Sequence, residues 1–318
     1  MKCPLFFTVK STIPDALKAD MPPNKWGKVL SATPVVLTVI ATVLAGLASS
    51  EMTRAQYDRS LAAQLQSKAG DQWNFFQGKK LRGALQNTAL DMLGSTAEVR
   101  ALNAAALRTA VAGTPAAGVI DTEAGKRAVA LLAEGGVLKP DAAAPVDAGV
   151  QTALAGLEVS KTDAEMGVLL APVEARTLDD ALRAAQAQIL SFDGATKPVS
   201  QAIDLIEKQL ARPGVAVVLR RDFSAARLSF HSRRYDAEAR LNQSVASLLE
   251  LQVRKSNMSA DRHYRRSQRF FFAMLAAQMG VVISTLAMAS TKRDLLWSVA
   301  VTAGAIALAF SIYVYLFV

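Results

Sequence analysis

The chain is poor in the side chains on which most enzymes depend. Its 318 residues contain one cysteine, Cys3, and two histidines, His231 and His263. A single thiol excludes an intrachain disulfide and a thiolate metal site. The histidines stand 32 residues apart in one proline-free segment, about 48 Å on a straight helix at ~1.5 Å per residue, too far to share a metal ion. Phosphate loops are missing as well: neither G-x-x-x-x-G-K-[ST] nor G-x-G-x-x-G occurs, and Gly125-Lys126-Arg127 lacks the upstream glycine. There is no G-x-S-x-G elbow and little material for a Ser-His-Asp triad. No catalytic, cofactor-binding or metal-ligating residue is assigned, and no cofactor is expected.

Charge is absent from three windows. Residues 29–50, 270–291 and 295–318 carry no Asp, Glu, Lys or Arg over 22, 22 and 24 residues. At ~1.5 Å per helical residue each covers roughly 33 Å or more, enough for a hydrocarbon core of about 30 Å. Three transmembrane helices follow, in keeping with 51% hydrophobic residues and a mean hydropathy of +0.22. Trp26, Trp297, Tyr313 and Tyr315 lie near the predicted ends, as aromatic belts do. The first run starts late and is too long for a signal-peptide core, so a retained anchor is expected. With no ionisable group inside any span, a proton relay or ion pump has nothing to work with.

Proline and glycine are the next absences. Residues 220–269 contain neither, and residues 51–93 contain no proline. Each reads as a long helical arm, roughly 75 and 65 Å, the second running unbroken into its membrane helix. Tyr57, Leu61, Leu65, Ala69, Trp73 and Phe76 recur at spacings of four and three on the first arm. Phe223, Phe230, Ala237, Leu241, Val245, Leu248 and Leu251 do so on the second. Breakers are concentrated between the arms, at Gly113-Thr114-Pro115, Gly135-Gly136, Lys139-Pro140, Ala171-Pro172, Lys197-Pro198 and Arg212-Pro213-Gly214. They cut the alanine-rich middle into about five helical pieces, with start signals such as Thr177 followed by Asp180. The run GVAVVL reads as a helix start or extended linker rather than a strand.

The expected fold is therefore all-α: a membrane-anchored antiparallel long-helix hairpin with a small helical head and three transmembrane helices. In order, an N-terminal tail occupies 1–28, the first span 29–50, the first arm 51–94, the head 95–219 and the second arm 220–269. The second span, 270–291, a loop, 292–294, and the third span, 295–318, complete the chain.

What is present in excess is positive charge near the membrane. The chain is +9, yet residues 101–215 hold ten Lys and Arg against fourteen Asp and Glu, so that segment is −4 and the remainder +13. This distribution favours anionic lipid headgroups over nucleic acid as the partner, at ~1 kcal/mol per basic residue near the surface. Arg262, Arg265, Arg266 and Arg269 follow i, i+3, i+4, i+7 on one helical face just before a span, a spacing that suits headgroups, an acidic partner or simple helix anchoring. In DQWNFFQ, Trp73 and Phe76 share the apolar face and belong to the hairpin core, whereas Phe75 points elsewhere and, if exposed, marks a partner-binding patch. Within the membrane, Ala276, Gly280 and Ser284 repeat every fourth residue, as do Ala303 with Ala307 and Ala305 with Ala309, and let helix backbones approach closely. Gln278, the strongly polar residue there, is expected to make an interhelical hydrogen bond.

Two stretches carry a resemblance. AQYDRSLAAQLQSKAGDQWNFFQGKKLR (55–82) follows the first span, and HYRRSQRFFFAMLAAQMGVVISTLAMA (263–289) opens the membrane hairpin. Together they resemble an uncharacterised bacterial family, the domain of unknown function 4337, through Gln66, Asp71, Trp73, Phe76 and Gln77 in particular. The resemblance implies a membrane-anchored helical protein of the bacterial envelope and offers no catalytic residue.

Topology signals conflict. The tail lysines favour a cytoplasmic N-terminus and a periplasmic head, whereas Arg54, Arg59 and the four arginines favour a cytoplasmic head; the rule that the first helix usually decides selects the periplasmic head in a bacterial inner membrane. On function, the sequence points to a non-enzymatic structural or accessory protein, as a homo-oligomer or a subunit of a larger membrane complex. The alternatives are a sensor whose head binds a ligand and, third, an enzyme or transporter.

Overall fold

The computed structural model describes residues 25–142, 145–290 and 293–317. Most of the expected tail, and Lys292 of the loop 292–294, lie outside the described residues, as does the side chain of Trp26. The described residues form nine helices and no strand. They are α1 (Lys25–Thr96), α2 (Ala104–Val111), α3 (Pro115–Asp121), α4 (Glu123–Glu134), α5 (Ala148–Glu158), α6 (Asp163–Leu170), α7 (Ala175–Leu210), α8 (Val217–Ala289) and α9 (Arg293–Phe317). The all-α expectation holds, and α1, α8 and α9 are long and apolar enough to cross a membrane. Span and arm are continuous in both α1 and α8.

The middle segment departs from expectation at two points. Lys197-Pro198 does not break the chain, because α7 runs 36 residues straight through it. Phe192, Thr196, Val199, Ile203 and Ile206 keep one face buried on both sides of the proline, and that burial offsets a penalty of roughly 3 kcal/mol for proline inside a helix. Thr177 does not start a helix either: α7 begins at Ala175 behind Glu174, which makes no side-chain cap. The caps that operate are Asn103, Thr114, Thr122, Asp147 and Thr162, whose side chains accept backbone N–H groups at the starts of α2 to α6. At α6 the box is reciprocal, and the hydroxyl and backbone N–H of Thr162, with Lys161 nearby, hold the Glu165 carboxyl below its ordinary range.

The chain divides into two compact units, one containing the residues up to Ser60 and from Asn257, the other Leu61–Ser256. In the first, Ala41, Leu44 and Ala48 of α1, Phe270, Ala273 and Ala277 of α8, and Ala307 and Val314 of α9 form one apolar cluster. Buried positions along α8 are Ala273, Ala277, Gly280, Ser284 and Ala287, and along α9 Ala300, Gly304, Ala307, Ser311 and Val314. Steps of four and three alternate in both. This corrects the expected every-fourth stripes: Gly280, Ser284 and Ala307 are buried as anticipated, Ala276 and Ala303 are half-buried, and Ala305 and Ala309 are exposed. A strict step of four drifts around a helix of 3.6 residues per turn, whereas the alternating step stays on one side. The approach is close, since a Cβ on Gly280 would lie 3.0 Å from the Ala300 carbonyl oxygen and one on Gly304 2.3 Å from Leu37.

In the second unit the arm portions of α1 and α8 run antiparallel. Lys80 pairs with Asp236 at 3.0 Å, Lys79 pairs with Glu238, and Gly83 faces the Ser232 carbonyl. The buried seam is made of residues, most of them small, at multiples of seven: Ala62, Ala69 and Gly83 on α1, and Ser232, Ala239, Ala246 and Val253 on α8. The first unit has the same spacing in Ala41, Ala48 and Ala55 and in Ala260 and Ser267, with Ser267 donating to the Ala48 carbonyl at 2.7 Å. The face expected on α1 is therefore rotated from the real one. Tyr57 is 68% exposed and Leu61, Leu65, Trp73 and Phe76 are half-buried; only Ala69 of that set is buried. On α8 the expected residues Phe223, Phe230, Leu241, Val245, Leu248 and Leu251 are buried. Phe223 and Phe230 join Leu107, Val111, Ile120, Leu132, Ile203 and Ile206 in the main core of this unit.

Candidate functional site

Polar side chains collect in the first unit where the charge-free windows of α1 and α8 end. Glu51, one residue past the first window, is only 9% exposed. His263 Nδ1 lies 2.6 Å from its Oε2, and Arg54 donates to its Oε1 at 3.4 Å. Arg59 pairs with Asp261 at 3.6 Å and stands over the Tyr264 ring at 5.0 Å. Sequence spacing leaves His263 without a partner and passes over Glu51, which lies 212 positions away. Only the antiparallel register brings them together, and register is what a single sequence shows least.

The four arginines of the same border keep the predicted face. Arg262 and Arg265 are exposed, Arg266 and Arg269 half-buried, and Arg266 Nε is buried without a hydrogen-bond partner. None of the four forms an ion pair among the described residues. Adjacent to this stretch is a groove of about 510 Å³ whose lining includes Met52, Tyr264, Gln268, Phe271 and Phe272. Unbalanced cations next to an apolar groove can take an anionic amphiphile, with charge held at the rim and hydrocarbon below.

A second groove, of about 490 Å³, belongs to the second unit and is lined by Gln72, Phe75, Lys79, Leu190, Asp193 and Glu238 among others. Phe75 is 57% exposed, whereas Trp73 and Phe76 meet edge to face at 5.5 Å. The aromatic triplet thus separates as its spacing implied, although Trp73 and Phe76 are half-buried rather than core. Glu238 is ion-paired with Lys79 and, at 3.2 Å, with Arg234, which donates to Ser200 Oγ at 2.7 Å. This network ties α1, α8 and α7 together. Further along α1, Leu81, Leu85 and Met92 form a stripe 63%, 58% and 65% exposed, a feature the arm periodicity did not isolate.

One other expectation changes. Gln278 makes no interhelical hydrogen bond among the described residues; it is exposed on the outer side of α8, away from the buried Ala273, Ala277 and Gly280. His231, to which the sequence assigns no role, is half-buried. Burial first, then Arg234 and Arg227, push its pKa down to about 4, against a weaker opposing pull from Asp204. The unfolded chain binds a proton at an ordinary histidine pKa of about 6.5, so the unfolded state gains relative to the folded one as pH falls through that value. Stability is expected to be complete above pH about 6.5 and to decline towards pH about 4. Unfolding midpoints of the full-length chain across that range check this; His231→Leu, which strands no partner because Nδ1 has none, is expected to flatten the decline, and an equal slope in both proteins would refute it.

A family model described as a domain of unknown function (DUF4337) matches residues 26–118. The matched region takes in the first span, the first arm with its aromatic triplet and exposed stripe, and α2. No curated protein and no solved structure matches the chain.

Proposed function

We propose that this protein is a non-enzymatic, multi-pass component of the bacterial inner membrane that acts by assembly, as a homo-oligomer or as a subunit of a larger membrane complex. The observation that carries the reading is the stripe of Leu81, Leu85 and Met92, at steps of four and seven on an arm helix and more than half exposed. Leucine and methionine at that period on a helix otherwise studded with charge are the pattern of a seam awaiting a partner helix. The four arginines at the border hold the spans against anionic headgroups, and the alanine-rich segment lies on the periplasmic side.

The test is the mass of the protein extracted gently from its native membrane, with each co-purifying chain identified. The expected result is a multiple of 33.8 kDa, or a fixed ratio to defined foreign subunits. Leu81→Ser with Leu85→Ser is expected to weaken that association roughly 100-fold, from ~1.5 kcal/mol or more of burial lost per leucine. A stable monomer with no partner would overturn the proposal.

A further inference from the structure

The outer side of the α8 span places Phe271, Leu275, Gln278, Val282 and Leu286 in one exposed strip. Four of these suit hydrocarbon and one does not. Gln278 lies eight residues from Phe270, about 12 Å into the bilayer at ~1.5 Å per residue, close to the middle of a core about 30 Å thick. That is too deep for its short side chain to reach the headgroups.

Exposed hydroxyls in the interior of the spans are satisfied by their own helices. The hydroxyls of Thr38, Thr42, Thr285, Ser298 and Thr302 each donate to a carbonyl three or four residues back, at 2.8 to 2.9 Å. Gln278 has no such partner among the described residues. Its carboxamide has two N–H donors and an oxygen with two acceptor positions, all facing outward where lipid chains offer nothing. A helix face with one unsatisfied primary amide at mid-membrane specifies a partner with a matching amide, and the simplest source is the same residue on another copy. Across a two-fold axis along the membrane normal the two carboxamides exchange hydrogen bonds in both directions, each supplying what the other lacks.

We propose that two copies of this chain meet along this face of α8, with the Gln278 carboxamides hydrogen-bonded to one another near mid-bilayer and Phe271, Leu275 and Val282 packed around them. The inference rests on the assembly reading above and names its membrane contact; it does not use the Leu81 stripe. The foreign-subunit form of assembly becomes an outcome of the test.

The experiment uses the full chain in phospholipid bilayers. In a Cys3→Ser background, Val282→Cys keeps Gln278 intact and is expected to cross-link on mild oxidation to a species of twice 33.8 kDa, while Leu308→Cys, exposed on α9, stays monomeric. Gln278→Leu is expected to weaken dimerisation roughly tenfold, and Gln278→Asn, which keeps the amide, to restore much of it. Association unchanged by Gln278→Leu overturns the contact but leaves the assembly reading standing if the Leu81 and Leu85 substitutions still dissociate the protein. A foreign chain lost on Gln278→Leu replaces the second copy and also overturns it. A parent protein that is monomeric and without partners removes both.

Discussion

Gly125→Ala is expected to destabilise the chain by ~3 kcal/mol, among the largest effects available from adding a single methyl group. Gly125 lies in the first turn of α4, which is separated from α3 by Thr122 alone, and the two helices share that residue as C-cap and N-cap. A Cβ at this position would stand 2.0 Å from the Val119 carbonyl oxygen, 2.7 Å from its carbon and 2.8 Å from Ile120 Cα. All three are backbone atoms, so no rotamer change relieves the clash, and overpacking of this kind lies at the upper end of a range of about 1 to 3 kcal/mol. Separating the helices would also strain the hydrogen bond from the Gly125 N–H to Thr122 Oγ1 at 3.1 Å, a cap of ~1 kcal/mol. Denaturant unfolding of the full-length protein measures the effect, with Gly118→Ala in α3 as control. Nothing lies within 4 Å of a Cβ there, so alanine's better helix propensity, ~1 kcal/mol, acts unopposed. Equal stability of the two variants would show that α4 does not seat on α3 as described.

The second large effect is expected at Glu238. Its side chain, 8% exposed, lies between Lys79 and Arg234, themselves 28% and 16% exposed. Glu238→Ala leaves two partly buried cations facing each other with no counter-charge, and removal of one partner from a buried pair costs about 3 to 5 kcal/mol. Some of that is recovered where Lys79 can reach water, so ~3 kcal/mol is the expected loss. Glu238→Gln keeps the acceptor oxygen and the shape and should lose less. Restoration by Lys79→Met in the Glu238→Ala background tests the cause: if the double variant is as unstable as the single one, stranded charge is not the source. The same variants should loosen the groove beside Phe75, whose wall includes both Lys79 and Glu238.

Sequence pattern located some features well and others poorly, for identifiable reasons. The spans were legible because little besides a hydrocarbon layer selects against charge for about twenty residues on end, and the arms because an α-helix tolerates almost anything except proline and glycine. The middle segment was read less well. Lys197-Pro198 looked like a terminator, but the face running from Phe192 to Ile206 is anchored on both sides of it, and tertiary burial overrode local propensity. The seam of α1 was missed because periodicity was read from large side chains. Tyr57, Leu61 and Leu65 attract attention, yet Ala41, Ala48, Ala55, Ala62 and Ala69 carry the burial, at intervals of seven that were in plain view. Of the site, the arginine face and the outward position of Phe75 followed from helix geometry alone. The pairing of Glu51 with His263 and the orientation of Gln278 did not, because each depends on which side of a helix faces its neighbours.

The seam in the second unit bears on how the arms could move. Long side chains that interlock act as stops against sliding, but alanine is smooth. Displaced by one heptad along α8, Ala62 and Ala69 would again meet residues of similar size, since Ser232, Ala239 and Ala246 are themselves seven apart. Among these small residues packing barely distinguishes one alignment from the next, and the steric stops are the larger Val245 and Leu249 clustered with Ala69. The other detents are electrostatic: Lys79 with Glu238 and Lys80 with Asp236 engage at one setting only. Because the Lys80 pair is open to solvent and its attraction is screened within about 10 Å at 0.1 M salt, ionic strength loosens that detent alone, while the Glu238 pair, with its carboxylate 8% exposed, keeps its grip.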